Sequence, residues 1–230
     1  MIYVNGDSWT SGWPDEETHG HREFSWPHLL GQLLKESVFN DARAASSNYR
    51  IYRRTFDYLL TQRPDLAIVA WTRWGRVEFG NAETGKIYQY IPSRDPEYFK
   101  KDWHPYLAYT NFLRHVISLQ TLAEKTNTTL WMIDTFQDNL IETPTLQWFK
   151  DMLQQGQVFD LMDDDRIVQK FNKVLALTQF IDYNKFISKI SYQEMIKDFQ
   201  LVDQHPVKDG HQHLAEIVYK NLRKQHGKSI

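Results

Sequence analysis

The chain has 230 residues, enough for one well-buried α/β core, and a formal net charge of −2 from 27 basic and 29 acidic side chains. A charge this close to neutral argues against a general nucleic-acid-binding protein, which normally carries a basic surplus. There is no cysteine, so disulfides and thiolate metal sites are excluded.

The apolar segments of the sequence are all short. Residues 1–5 form an apolar run that meets Gly6 and Asp7 at once, which is too short for the core of a signal peptide. No stretch approaches the ~20 apolar residues that a membrane span needs. We therefore expect a soluble protein without an export signal, located in the cytoplasm or, if it is viral, in the virion.

Predicted strands and helices alternate along the chain. Strands are expected over 2–5, 37–40, 66–71, 129–134 and 180–183, and helices over 25–35, 47–62, 106–125, 163–177 and 211–224. The uninterrupted apolar run LAIVAW at 66–71 is typical of a central parallel strand that is covered on both faces. Residues 73–105 lack a regular period and are predicted to form a loop insertion. The alternation predicts a single three-layer α/β/α domain over residues 1–230, with a mostly parallel five-stranded sheet.

The first candidate for chemistry is Gly6-Asp7-Ser8-Trp9, which directly follows the first strand. Sites in such sheets form at the carboxyl ends of the strands. A serine hydroxyl becomes a useful nucleophile when a base lies within hydrogen-bonding reach, and a turn led by glycine can present it there. The same residues would also make an ordinary polar turn.

The second candidate is Asp203-Gln204-His205-Pro206, just before the last predicted helix. A histidine can take the proton of the serine, and a nearby carboxylate fixes the tautomer of that histidine. A surface loop that enters a helix has a similar composition, so this motif also has a purely structural interpretation.

The third candidate is the small-residue stretch NDARAASSN at 40–48. Small residues let a backbone N–H approach a substrate oxygen, and a helix N-terminus favours developing negative charge. A capped helix start is the alternative interpretation.

Together these motifs resemble those of the SGNH (GDSL-like) hydrolase family. GDSW resembles the first block of the family, AASSN the second, and DQHP followed by GH the last. A subset of phage and bacterial members also has the residues found here at Trp71, Thr72, Arg76 and Glu78. The resemblance implies a flavodoxin-like SGNH hydrolase fold and an esterase that needs no cofactor and no metal. It assigns Ser8 as nucleophile, His205 as base and Asp203 as acid.

Three departures from the family pattern concern the oxyanion donors and the acid. Ala45 stands where the second block has glycine, although its backbone N–H remains available. The third block normally reads G-x-N-D, whereas residues 70–73 read AWTR, so Asn48 or Thr72 is the candidate substitute donor. Asp203 and His205 are one residue closer than in the usual D-x-x-H, which leaves open a Ser–His dyad or support from another carboxylate.

The aromatic residues bear on the substrate. Trp9, Trp71 and Trp74 fall in or beside loops at the predicted active-site end. Exposed rings would suit stacking on sugars, while packing of the loops onto the domain is the alternative. We expect a serine ester hydrolase that acts on a small-molecule or carbohydrate ester, with no nucleic-acid partner. The alternatives are a catalytically weak glycan-binding or virion-associated module of the same fold, or an O-acyltransferase. The sequence indicates no particular oligomeric state.

Overall fold

The central sheet of the computed structural model contains four parallel strands: β1 (Ile2–Asn5), β2 (Val38–Asn40), β3 (Leu66–Trp71) and β6 (Thr129–Asp134). Their order across the sheet is β2–β1–β3–β6. The structure describes residues 1–12, 21–80, 87–90, 97, 103–136, 142–154, 163–188, 191–202 and 205–226.

Helices cover both faces of this sheet. They are α1 (Ser8–Ser11), α2 (Trp26–Leu34), α3 (Asn48–Gln62), α4 (Pro105–Thr126), α5 (Leu146–Gln154), α6 (Asp164–Thr178), α7 (Tyr192–Met195) and α8 (Lys208–His226). Two small antiparallel pairs lie outside the sheet: β4 (Val77–Gly80) with β5 (Ile87–Tyr90), and β7 (Leu201–Val202) with β8 (His205–Pro206). Single turns of 3-10 helix occupy His21–Phe24 and Tyr183–Lys185.

Strand β3 shows how the sheet separates two hydrophobic cores. Successive side chains of a strand point to opposite faces. Ala67, Val69 and Trp71 join the core formed with α3, α4, α5 and α6, while Ile68 and Ala70 join the core formed with α2, α7 and α8. All five side chains are fully buried. The α/β/α sandwich predicted from the continuous apolar run is therefore confirmed.

Side-chain caps fix the starts of two helices. Ser47 caps α3 by accepting a hydrogen bond from the backbone N–H of Arg50 at 3.1 Å. Asp163 caps α6 in the same way, at 2.8 Å from the backbone N–H of Arg166. Each cap satisfies one of the backbone donors left free in the first turn.

Two predictions about the elements are wrong. Residues 180–183 do not form a fifth strand, because this position at the edge of β6 is held by a single parallel bridge between Phe186 and Met132. The predicted loop over 73–105 contains the β4–β5 hairpin, whose strands of four residues are too short to show a clear period of two.

The chain reverses its direction of travel across the sheet at β1. It moves from β1 to β2 on one side and then returns past β1 to β3 on the other. The carboxyl end of β1 is therefore a topological switch point, where open α/β sheets leave a crevice for a ligand. Ser8 lies immediately beyond this end, and Thr72 lies beyond the neighbouring end of β3.

Within the part of the chain that the structure describes, no helix has the length and apolar character needed to cross a membrane.

Removal of the Ser47 hydroxyl tests whether this cap stabilises α3. We expect Ser47→Ala to lower the free energy of unfolding by about 1 kcal/mol, because the N–H of Arg50 loses its acceptor. Urea denaturation measures this change, and Ser47→Thr, which keeps a hydroxyl, is the matched control. Equal losses in the two variants would contradict the role of the cap.

Candidate active site

Hydrogen bonds of the Asn5 side chain hold the turn between β1 and α1 in place. The Asn5 Oδ1 accepts from the N–H of Gly6 at 2.8 Å, and Nδ2 donates to the carbonyl of Ile51 and the hydroxyl of Thr55, each at 3.1 Å. Asn5 is fully buried, so these bonds anchor the turn to α3. A Cβ on Gly6 would lie 2.7 Å from Thr10 Cβ, which is why a glycine is required at this close approach.

The turn places Ser8 against the C-terminal histidine. The Oγ of Ser8 lies 2.8 Å from Nε2 of His205, although the two residues are 197 positions apart in the chain. Ser8 is the first residue of α1, and His205 begins β8. The structure thus brings together two of the residues that the sequence motifs singled out. Asp203 lies outside the described residues, and its role as the acid stays a prediction.

Asp7 is a buried charge beside Ser8. One carboxylate oxygen accepts from the backbone N–H of Trp9 at 3.0 Å, and the other accepts from Thr72 Oγ1 at 2.7 Å and Arg76 Nη1 at 2.8 Å. Asp7 has no exposed surface, while Arg76 retains 15%. Both oxygens of Asp7 therefore accept hydrogen bonds. This carboxylate holds the turn in place and does not bind the ring of His205. Sequence reasoning missed this role because nothing in the sequence pairs Asp7 with Arg76.

Asn48 and Thr72 bind each other. The side-chain amide of Asn48 donates to the carbonyl of Thr72 and accepts from its backbone N–H, both at 2.9 Å. Both residues are buried. The pair joins the start of α3 to the end of β3, and the Thr72 hydroxyl is directed to Asp7. The assignment of Asn48 and Thr72 as oxyanion donors stays a prediction.

Ala45 adopts an unusual backbone conformation. It lies in a turn closed by the N–H of Ser46 and the carbonyl of Arg43, and its φ of 59° is in the left-handed region. A positive φ at the third position of a β-turn favours glycine, which is the residue that the family has there. The loop is joined to the turn that carries Ser8 by the N–H of Arg43, which donates to the carbonyl of Gly6 at 3.2 Å.

A second histidine lies behind the site. The Nδ1 of His211 is 3.2 Å from the hydroxyl of Tyr192, and the ring of Tyr192 packs edge-on against Trp9 at 5.2 Å. Burial and the charge of His205 lower the pKa of His211 to about 4. His211 is therefore neutral near pH 7. The sequence motif contained this residue but gave no sign of its buried position.

The three tryptophans of the predicted substrate site have different environments. Trp71 is fully buried against Phe112, which makes it a core residue rather than a stacking platform. Trp9 is only 4% exposed and supports the site from within, with its ring 6.5 Å from that of His205. Trp74 is half-buried and stacks on the buried Trp103 at 5.3 Å. Packing thus accounts for most of the aromatic clustering among the described residues.

A cleft of about 410 Å³ lies between the start of α3, the turn after β3 and α4. Its wall contains two residues of the networks above, Asn48 and Arg76. It also carries apolar and hydrogen-bonding groups, among them Tyr49, Trp74, Asn111 and His115. Burial lowers the pKa of His115 to about 4, so that this ring is neutral near pH 7.

The described residues contain no group of three or more histidine or carboxylate side chains that could hold a metal ion.

Neither a protein-family model nor a curated protein sequence matches the chain. Solved structures do resemble it over nearly its whole length. A catalytic mutant of an acetylxylan esterase from Geobacillus stearothermophilus aligns with a TM-score of 0.56 at 13% identity, covering 96% of this chain and 93% of the esterase. TesA aligns with a TM-score of 0.53 at 12% identity, covering 97% and 98%. The psychrotrophic esterase EstA from Pseudoalteromonas sp. aligns with a TM-score of 0.52 at 10% identity, covering 99% and 98%.

At these identities the similarity establishes the fold. The chain has the α/β/α fold of the SGNH hydrolases, as the sequence motifs predicted, and the described residues supply four of the five strands expected in its sheet.

The conformation of Ala45 generates a matched pair of variants. Replacing alanine by glycine normally lowers the free energy of unfolding by about 0.5–1 kcal/mol. At a left-handed position, glycine also removes a conformational strain of about 1–2 kcal/mol, which raises the free energy of unfolding. We therefore expect Ala45→Gly to keep or raise the free energy of unfolding. Ala44→Gly, in the same turn but without a positive φ, should lower it by about 0.5–1 kcal/mol. Chemical denaturation of both variants distinguishes them, and an equal loss in both would contradict the strain.

The lowered pKa of His211 predicts a pH dependence of stability. The unfolded chain binds a proton on this histidine near its ordinary pKa of about 6.5, whereas the folded protein binds it only near 4. Stability should therefore be unaffected by this group above pH 6.5 and should fall as the pH decreases from 6.5 to 4.

Urea denaturation at pH 7 and pH 5 measures this effect. His115 has a similarly lowered pKa, so the comparison must isolate His211. The loss of stability between the two pH values should be smaller in His211→Gln than in the wild type, by roughly 1–2 kcal/mol. Identical losses would show that His211 binds its proton equally well in both states.

Proposed function

We propose that the protein is a serine ester hydrolase in which Ser8 is the nucleophile and His205 is the general base. The observation that carries this proposal is the 2.8 Å hydrogen bond between Ser8 Oγ and His205 Nε2. A histidine nitrogen at this distance can accept the hydroxyl proton as the oxygen attacks. The pair lies at the switch point of the sheet, where ligands of this fold class bind.

The reaction proceeds in two displacements. Ser8 Oγ attacks the ester carbonyl and His205 takes its proton, which His205 then gives to the departing alcohol. Water attacks the resulting acyl-serine, with His205 again accepting and returning the proton. No cofactor or metal ion takes part in these steps.

Backbone N–H groups are the proposed oxyanion donors. The N–H of Ser8 lies at the start of a helix, and the N–H of Ala45 lies in the loop tied to the Gly6 carbonyl. Loss of one donor typically lowers the rate by ~10²–10³-fold. Asn48 Nδ2 donates one of its two N–H groups to the Thr72 carbonyl, so Asn48 is a candidate for a further donor alongside the backbone groups.

The acid of the proposed triad is Asp203. Asp7 is unsuited to this role, since its oxygens are occupied by Trp9, Thr72 and Arg76. A dyad of Ser8 and His205 is the alternative, and Asp203→Asn tests between them, because a dyad would keep its activity in this variant.

The proposed substrate is a carbohydrate O-ester, with an acetyl or other short acyl group. The cleft beside the site supports this choice because it combines aromatic and neutral hydrogen-bonding groups, as sugar rings require. An acetylxylan esterase is among the structures that share the fold, which is consistent with the choice.

A catalytically weak binding module is the second candidate function. The absence of the G-x-N-D asparagine favours it, because residues 70–73 read AWTR. The same fold serves many functions, so the fold alone does not distinguish the two candidate functions and the residues of the site have to be tested.

Release of 4-nitrophenol from its acetate ester tests the esterase proposal. We expect Ser8→Ala and His205→Ala each to lower the enzymatic rate by about 10³-fold or more, to the level of spontaneous hydrolysis, with the fold retained. His28→Ala, which removes an exposed histidine of α2, is the control and should keep its activity.

Wild-type activity in the Ser8→Ala variant would overturn the assignment of the nucleophile. If the wild type releases no nitrophenol, an acetylated oligosaccharide should be supplied to wild type and Ser8→Ala. Binding without Ser8-dependent deacetylation would favour the binding module, and acetyl transfer to an added sugar would identify an O-acyltransferase.

A further inference from the structure

Two arginines lie on the turn that follows β3, and one of them, Arg76, binds Asp7, the neighbour of Ser8 in the chain. The N–H of Arg76 donates to the carbonyl of Arg73 at 3.1 Å, which closes the turn. The guanidinium carbon of Arg73 lies 4.9 Å from the centre of the Phe136 ring, and that of Arg76 lies 5.7 Å from it. The Trp9 ring packs edge-on against Phe136 at 5.1 Å. Both cations therefore contact the aromatic group that supports Ser8 and His205.

The two arginines differ in whether a carboxylate of the protein neutralises their charge. Arg76 is bound to the buried carboxylate of Asp7 at 2.8 Å, so its charge is neutralised inside the protein. Arg73 is exposed, and among the described residues no carboxylate oxygen lies within 4.0 Å of its guanidinium. Contact with the Phe136 ring orients this cation without neutralising it.

Packing fixes the turn that carries Arg73. Trp74, the next residue, stacks on Trp103 at 5.3 Å and contacts Tyr109 edge-on at 5.8 Å. Trp103 and Tyr109 are buried. A guanidinium on an anchored turn loses less freedom on binding, and its planar donors match a carboxylate in two parallel hydrogen bonds.

Arg43 is a second exposed arginine, in the loop that contains Ala45, and its backbone N–H donates to the carbonyl of Gly6 at 3.2 Å. The described residues place no carboxylate within salt-bridge distance of its guanidinium. Glu78 is an acidic residue of the cleft wall, which it shares with Arg76.

We propose that Arg73 binds an anionic group of the ester substrate, of the carboxylate class, and so determines specificity for acidic esters. This inference rests on the proposed esterase function. The carboxylate belongs either to the alcohol portion, as in an acylated acidic sugar, or to the acyl portion, as in a half-ester of a dicarboxylic acid. Both present the same chemistry to the guanidinium, and matched substrates distinguish them.

The experiment compares kcat/KM for charged and neutral esters of similar shape. For the alcohol portion, the pair is 4-acetoxybenzoate and 4-acetoxybenzamide. For the acyl portion, it is the mono-4-nitrophenyl ester of succinic acid and 4-nitrophenyl butyrate. The proteins are the wild type, Arg73→Ala, Arg73→Glu and the control Lys125→Ala, which removes one exposed positive charge near the amino end of β6.

We expect the wild type to prefer the charged ester in one pair. Arg73→Ala should reduce that preference by about ten- to a hundredfold, the usual range for a hydrogen-bonded charge pair. Arg73→Glu should reverse it, and Lys125→Ala should leave the ratio within about twofold of the wild type. The same charge preference in wild type and Arg73→Ala, in both pairs, would overturn the inference while leaving the esterase proposal intact.

A binding measurement separates this inference from catalysis. Equilibrium dialysis of the wild type and Arg73→Ala with 4-acetamidobenzoate and 4-acetamidobenzamide uses amide analogues that carry no ester. Suppose that 4-acetamidobenzoate binds the wild type but not Arg73→Ala, and that the protein hydrolyses no ester. This outcome would support anion recognition by Arg73 and reject the esterase proposal. If neither turnover nor binding depends on Arg73, the inference fails.

Discussion

The buried carboxylate of Asp7 is the constraint on which the site depends. A charge without exposed surface must be compensated inside the protein, because leaving it unpaired costs several kcal/mol. Its partners come from the start of α1, the end of β3 and the turn beyond β3. Satisfying Asp7 therefore brings these segments together and fixes the position of Ser8, its neighbour in the chain. The close approach at Gly6 and the bonds of Asn5 hold the same turn from the side of α3.

Aromatic packing gives the site rigidity more than it gives a surface for stacking. Trp9 lies between Phe136, Tyr192 and the ring of His205, and is almost completely buried. Trp74 is held by Trp103 and Tyr109. Among the described residues, packing therefore occupies most of these rings. The exposed guanidinium of Arg73 and the groups that line the cleft beyond Arg76, which include Trp74, are the parts of this region left for recognition in our proposals.

The comparison with known structures shows a shared fold at low sequence identity. Identities of 10–13% over nearly the whole chain accompany the same fold, since many apolar residues can fill the same cores. Where the SGNH motif reads G-x-N-D, residues 70–73 of this chain read AWTR, and Thr72 binds Asn48 and Asp7. Ala45 keeps a backbone N–H in a conformation that favours glycine. Function on this scaffold is therefore decided by the site.

The sequence by itself determined the features that depend on local pattern. The strands at 66–71 and 129–134 were predicted at their observed positions, and the helices predicted over 47–62 and 163–177 start within one residue of the observed ones, because apolar runs and helical periods act within a few positions. The motifs also singled out Ser8 and His205 before the fold was known. Only the tertiary structure decided that their side chains meet across 197 residues, that Arg76 compensates Asp7 and that Trp71 belongs to the core. It also replaced the predicted strand at 180–183 by one bridge at Phe186. These outcomes depend on which distant segments pack together, and no local period in the sequence records that choice.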